Sequence, residues 1–237
     1  MGLLTAVAVV HKILPKSWEE PLSTAIDKRA VGGRIPLHSL GLAGDVQCDR
    51  QHHGGRYAAV YAYADEDAAW WAAELEREIA PGLFGENLRT SGVDVTGAEI
   101  GERWQVGPPG TGVLLEVTSP RAPCRTFQER MNERAWVKRF TERNSPGAYL
   151  RVLESGGVAA GDEVRVVHRP GHGITIGDVT TRAEPDTMKR LLAAATSLGL
   201  ELSPSLRRSA NRVSSRATTP VSGGADGRPG ATVTNHG

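Results

Sequence analysis

Cysteine is nearly absent: Cys48 and Cys124 are the only two in 237 residues. That excludes a disulfide-built secreted scaffold and a four-thiol iron–sulfur centre. Aromatic residues make up 5 %, too few for the stacking platforms that hold single-stranded nucleic acid. Neither sign of charge dominates, with 28 Lys plus Arg against 27 Asp plus Glu, so no strong field gathers nucleic acid or an anionic membrane. No apolar run reaches the ~18 residues of a spanning helix. The run from Leu3 to Val10 lacks the basic start and small-residue cleavage site of a secretory signal, and reads as a first strand. A cytoplasmic protein is expected, with no nucleic-acid and no membrane partner. G-x-S-x-G, G-x-x-x-x-G-K-[ST], H-E-x-x-H and a strand-linked G-x-G-x-x-G are also missing, so hydrolase, P-loop and Rossmann readings lack their parts.

What is present suffices for a core: 39 % hydrophobic residues and 28 glycines match an ordinary globular domain. Short β-rich runs (Thr5 to Val10, Trp104 to Val106, Val113 to Thr118, Tyr149 to Leu153, Glu163 to His168) alternate with Gly and Pro turn signals, which predicts an antiparallel barrel or sandwich. Helices are predicted over Asp65 to Ile79, capped by Asp65, over Arg134 to Phe140, and over Pro185 to Leu198, where Met188, Leu191, Leu192 and Ala195 form one stripe and Gly199 ends it. The fold class is thus mainly β with helices, α+β. After Ser203 there is no aromatic residue, and Ser, Thr, Gly, Pro and Arg dominate. Such a segment is not expected to bury a core, and reads as a solvated extension, with a basic arm for RNA or an acidic partner as the alternative.

Four segments could carry chemistry. Ser119-Pro120-Arg121-Ala122-Pro123-Cys124-Arg125-Thr126-Phe127 holds one thiol between two prolines that stiffen the backbone, read as a loop, with Arg121 and Arg125 on either side. Positive charge favours the thiolate, which attacks electrophiles, carries a persulfide or ligates a soft metal; a buried inert cysteine is the plain alternative. Gly41 to Asp45 precedes Cys48, His52 and His53-Gly54-Gly55, whose glycines would let backbone N–H groups approach an anion. Zinc would need a second ligand pair that this cluster lacks. Phe84-Gly85-Glu86-Asn87-Leu88 puts an acceptor and a mixed donor/acceptor in one turn, suited to a heterocycle edge. Gly156 to Asp162 is a glycine-rich turn feeding a strand.

In this order, with Ile100-Gly101-Glu102-Arg103-Trp104 between the third and first of them, these blocks resemble the MOSC domain, named after the C-terminal domain of molybdenum cofactor sulfurases. The resemblance runs from about residue 5 to residue 170 and is nearest to the stand-alone bacterial branch associated with 6-N-hydroxylaminopurine resistance. It implies a MOSC-type β-barrel over 1–173, a partial helical appendage over 174–208 and a disordered low-complexity tail over 209–237. It further implies a site for molybdopterin-bound molybdenum, with Cys124 as catalytic thiol and metal ligand or as persulfide carrier. Asp45, His53, Gly54, Gly55, Asn87 and Arg121 fall on motif positions that would bind the cofactor, Arg121 suiting its phosphate. At the level of the whole family, pyridoxal phosphate binding is implied as well, with no residue attached to it. The function implied is an oxidoreductase reducing N-hydroxylated bases or related N–O compounds, a small-molecule substrate class, with electrons from a partner protein because flavin, nicotinamide and cluster motifs are missing. A sulfur carrier or cofactor-handling module is the alternative. One departure stands out: Arg56-Tyr57-Ala58 occupies the place of the family's usual Pro-Asp-Lys/Arg run, leaving Arg56 to restore a basic group.

Overall fold

The computed structural model describes residues 2–16, 23–48 and 54–215. Its strands are β1 (Gly2–Pro15), β2 (Ser23–Val31), β3 (Ile35–His38), β4 (Gly41–Leu42), β5 (Val60–Ala64), β6 (Leu88–Ser91), β7 (Arg103–Val106), β8 (Val113–Pro120), β9 (Ala148–Glu154), β10 (Gly156–Val158) and β11 (Glu163–His168). The helices are α1 (Asp65–Glu74), α2 (Arg125–Met131), α3 (Trp136–Arg143), α4 (Pro185–Ser197) and α5 (Pro204–Ser215). Seven strands pair in the order β11-β7-β8-β9-β5-β6-β1, and β1 returns to β11, with Gly2 opposite Val164 and Leu3 opposite Glu163. The sheet is therefore a closed barrel, which settles the barrel-or-sandwich alternative left by the β-rich runs in the sense that the resemblance implies. From Val7 onward the long β1 pairs with β2, with register shifts between Val10 and Lys12 and between Lys12 and Leu14, while β10, β3 and β4 form a small second sheet.

All pairings in the barrel are antiparallel except β5–β6. A parallel pair needs a crossover, and α1 lies within that connection. The sequence of β5, Val-Tyr-Ala-Tyr-Ala, is buried at every position. Val60, Ala62 and Ala64 point into the barrel core, while Tyr61 and Tyr63 join an outer aromatic cluster with Trp71, Phe84, Phe127, Trp136 and Phe140. Period-two alternation thus serves two cores, and α1, α2 and α3 cover the barrel's outer face there.

Three differences from the sequence expectations have local causes. First, α1 starts with Ala64 as its cap residue, so Asp65 is its first helical position and accepts a hydrogen bond from Thr5 Oγ1 at 2.5 Å. The helix ends at Glu74, not Ile79, because Glu76 turns to φ 50° and Arg77 N–H bonds back to the Ala72 carbonyl at 3.1 Å, a Schellman-type stop. Second, β8 continues through Ser119 and Pro120, pairing with Tyr149 and Ala148, so the stiff connection is only Arg121 to Cys124. Third, the segment after Ser203 does bury a core. In α5, Leu206 and Ala210 are buried with Val213 packed beside them, against a cluster that includes Met188, Leu191 and Ala195 of α4. The spacing i, i+4, i+7 makes one apolar stripe within a polar composition.

The chain leading into α5 is tied to the barrel by Glu201, which accepts hydrogen bonds from Arg56, Tyr57 and Arg151. Hydrogen bonds from Tyr57 and then Arg151 hold the Glu201 carboxyl below the usual carboxylate range. A depressed carboxyl stabilises the fold above its ordinary value, and that contribution fades as pH falls through the lowered one. Hydrogen exchange at pH 7 should be faster in α5 of Glu201→Gln than in the parent, with barrel amides unchanged. The parent should approach the variant only once pH drops below the ordinary carboxylate range. Equal α5 exchange in the two proteins at pH 7 would show that the tether does not hold the helix.

Candidate functional site

The Pro120-Arg121-Ala122-Pro123 connection ends on Cys124, whose backbone is extended (φ −132°, ψ 174°) and whose carbonyl accepts the Gln128 N–H at 3.0 Å. The pyrrolidine of Pro123 disfavours helical geometry in the residue before it, and the chain turns helical only at Arg125. The thiol is therefore held at the junction of barrel and helix. Cys124 is half-buried and packs against the outer aromatic cluster. It lines a cavity of about 130 Å³ together with Lys28, Asp45, Asn87 and Arg121.

Arg121 is 7 % exposed. It donates to the Phe84 carbonyl and lies over the rings of Phe127 (3.8 Å to the centroid) and Tyr61 (5.1 Å). Among the described residues no carboxylate pairs with it. Burial opposes its charge, but the Tyr61 and Tyr149 hydroxyls and the Cys124 sulfur more than offset this and hold its pKa above the ordinary guanidinium value. The guanidinium carries no carboxylate among the described residues, and an anionic ligand in the cavity would supply a full counter-charge.

Asp45 and Asn87 form the opposite wall. Asp45 accepts the Val10 N–H at 3.0 Å, the Asn87 Nδ2 donor at 2.7 Å and the Lys28 ammonium. Asn87 also accepts the Tyr61 N–H at 3.1 Å and donates to the Ala8 carbonyl at 3.2 Å. Its amide is thus engaged on both sides and positions Asp45 and β5. Burial lowers the Lys28 pKa, and its pairing with Asp45 works against that shift. Glu86, expected beside Asn87 at a heterocycle edge, is instead fully buried. It closes its own turn through the Gly82 and Phe84 N–H groups (2.7 and 3.0 Å) and pairs with Arg89 Nε at 2.9 Å.

Of the predicted residues, Asp45, Asn87, Arg121 and Cys124 meet in this one cavity. Gly54 and Gly55 lie apart from it, on a larger cavity of about 630 Å³ that shares Ala58, Arg121 and Tyr149 with the first. Gly55 has φ 81° and ψ −178°, open to glycine alone, and its N–H donates to Gln47 Oε1 at 2.7 Å. His53 lies outside the described residues. Arg56 lines neither cavity, because its guanidinium is drawn to Glu201 and Tyr57; it restores no basic group to the site. Lys28, Tyr61, Tyr149 and Cys48 line the thiol cavity without having been expected there. Lys28 sits on β2 with no motif around it, so only the tertiary pairing with Asp45 reveals it.

This geometry defines a class: closed barrels that present a half-buried thiol to a cation-rich cavity. Residues 49–165 match the MOSC domain family, and the chain belongs to the MOSC-domain proteins. Protein YiiM of Escherichia coli is 29 % identical over 189 residues, covering 76 % of this chain and 82 % of that protein. A protein named "Reductase" from Gibberella moniliformis is 31 % identical over 152 residues, covering 63 % of this chain but 26 % of that longer protein. The crystal structure of YiiM from Geobacillus stearothermophilus superposes with a TM-score of 0.69 at 23 % identity, covering 90 % of this chain and 98 % of that one, a likeness of fold. MOSC domains are associated with binding of the molybdenum cofactor. No helix among the described residues is long and apolar enough to cross a membrane.

Proposed function

We propose that the protein is a molybdenum-cofactor-dependent oxidoreductase that reduces N-hydroxylated bases or related N–O compounds, with Cys124 as the protein's sulfur ligand to molybdenum. The observation that carries this reading is the buried Arg121 guanidinium, without a carboxylate partner among the described residues, beside the half-buried Cys124 thiol. The donor set fits the group: Lys16, Lys28 and Arg121 stand against Asp45 as the only carboxylate on the described lining, and such an excess suits an anionic pterin cofactor. When bound, the cofactor supplies the two-electron redox chemistry. The chain's own residues hold and orient it: Cys124 by its sulfur, Arg121 and Lys28 by charge, and Asn87 by fixing Asp45. Reduction of an N–OH group takes two electrons and two protons and releases water, and the electrons would come from a partner protein.

A second reading keeps the site and changes the chemistry: Cys124 carries sulfane sulfur as a persulfide. The presence of Cys48 on the same cavity favours it, since a second thiol could accept the outer sulfur as the Cys124 thiolate leaves.

Cys124→Ala decides between them. Expressed in a cofactor-producing host, the parent should hold near-stoichiometric molybdenum and pterin and turn over N-hydroxylated purines with a chemical reductant. The variant should fold normally, lose the metal and fall at least about a hundredfold in turnover. Persulfide mass on Cys124 of the parent, with neither metal nor N–O turnover, would select the sulfur carrier instead.

A further inference from the structure

The 630 Å³ cavity lies within the range of about 300–1,000 Å³ typical of small-ligand sites, and the thiol cavity opens beside it across Arg121. Its walls come from the Ser119–Pro123 segment, Gly54 and Gly55, the end of α3, Val179–Thr181 and the face of α5. Three arginines, Arg121, Arg208 and Arg212, line it, and no Asp or Glu does among the described residues. Arg208 and Arg212 are four residues apart on α5, which stacks two like charges on one helix face. Both are exposed, and no carboxylate among the described residues pairs with either. Other surface arginines divide: Arg125 pairs with Glu129, Arg139 with Glu74 and Arg143 with Asp67, while the exposed Arg134, Arg182 and Arg190 pair with no carboxylate among the described residues but line neither cavity. Ser205, Ser209 and Thr180 add hydroxyl donors to the same wall.

We propose that Arg208 and Arg212 bind the phosphate of the substrate, so that the protein acts on a phosphorylated nucleobase, a nucleoside monophosphate, with its base directed past Arg121 toward Cys124. Two guanidiniums one helical turn apart offer paired N–H donors to phosphate oxygens. A neutral free base would leave both charges uncompensated. The substrate class rests on the reductase reading above, whereas the phosphate site rests on the cavity. The cofactor carries a phosphate too, and the same arginine pair could hold that instead.

The test compares AMP with adenosine as probes on cofactor-loaded protein, by equilibrium dialysis, for the parent and for Arg208→Gln/Arg212→Gln. The parent should bind AMP at least tenfold more tightly than adenosine. The double variant should lose that preference while keeping its melting temperature and its molybdenum and pterin content. With the same proteins, N6-hydroxy-AMP should be reduced with a KM at least tenfold below that of N6-hydroxyadenosine in the parent only. Equal binding of AMP and adenosine by the parent would overturn the proposal, as would loss of molybdenum and pterin from the double variant, which would give the pair to the cofactor's phosphate. Tight AMP binding without any N–O turnover would uphold the phosphate site and bring down the reductase reading.

Discussion

Arg121→Met is expected to leave the protein folded and close to the parent in stability, while stripping it of cofactor. The guanidinium is buried between Phe127 and Tyr61 and carries no carboxylate partner among the described residues. Replacing the buried charge with an apolar side chain of similar length removes its desolvation cost, together with the interactions with Tyr61, Tyr149 and Cys124 that offset it. The loss is one hydrogen bond to the Phe84 carbonyl, worth about 1 kcal/mol, and the cation–π contacts with Phe127 and Tyr61, worth about 0.5–2 kcal/mol each. These terms oppose one another, and the unfolding free energy should stay within about 2 kcal/mol of the parent. Molybdenum and pterin retained through purification should fall at least about tenfold, equivalent to 1.4 kcal/mol or more of lost binding. Urea denaturation and metal analysis on the same preparation check both halves. A sharp loss of stability would mean that Arg121 is a structural strut, and full metal content would remove it from the binding set.

Glu86→Ala should instead strongly destabilise the protein, although Glu86 lines neither cavity. The Glu86 carboxylate is fully buried and its partner Arg89 is 2 % exposed. Removing Glu86 leaves the Arg89 charge with the Ile79 and Ala80 carbonyls at 3.4 and 3.3 Å and Asp65 at 3.6 Å. It also orphans the Gly82 and Phe84 N–H groups. Breaking a buried pair from one side costs about 3–5 kcal/mol, a large part of the ~5–15 kcal/mol that holds a domain together. Because Phe84 also receives Arg121, whatever folded fraction remains should bind cofactor poorly. A midpoint shift in urea of less than the equivalent of about 1 kcal/mol would show that the turn stands without its carboxylate. Double substitution to Glu86→Leu/Arg89→Met should recover only the share due to the unpaired Arg89 charge, since apolar replacements of a buried pair are often neutral, while the Gly82 and Phe84 N–H groups stay without their acceptor.

The two variants separate two uses of buried charge that look alike in a sequence. Glu86 and Arg89 are three residues apart, yet nothing in Phe-Gly-Glu-Asn-Leu distinguishes a carboxylate that closes its own turn from one that faces a ligand. Only burial settles that. Cys124 was legible because its prolines and arginines are neighbours in the chain, so local stiffness and charge could be argued without a fold. The partnership of Asp45 with Asn87, 42 residues away, and with Lys28 depends on β1, β2 and the barrel wall coming together, and no local pattern encodes it. Strand spacing and turn residues narrowed the fold to an antiparallel barrel or sandwich, and the family resemblance implied the barrel, whereas α5 was hidden by its composition. Leu206, Ala210 and Val213 do repeat at helical spacing, but serines and arginines around them lower the average hydrophobicity, and an argument from composition overlooks a stripe three residues deep.

Barrel closure also sets an order of assembly. The start of β1 pairs with β11, so Gly2 and Leu3 find Val164 and Glu163 as partners only after more than 160 residues have been synthesised. Until then the beginning of β1 presents unpaired N–H and C=O groups along one edge, the kind of template that recruits foreign strands. Contacts of such sequence separation form slowly, and a chain emerging at roughly 5–20 residues per second holds that edge open for about ten seconds or more. The nascent protein is thus most exposed to misassembly during its own translation, and a ribosome-associated chaperone should engage it before β11 emerges and let go once β11 has docked.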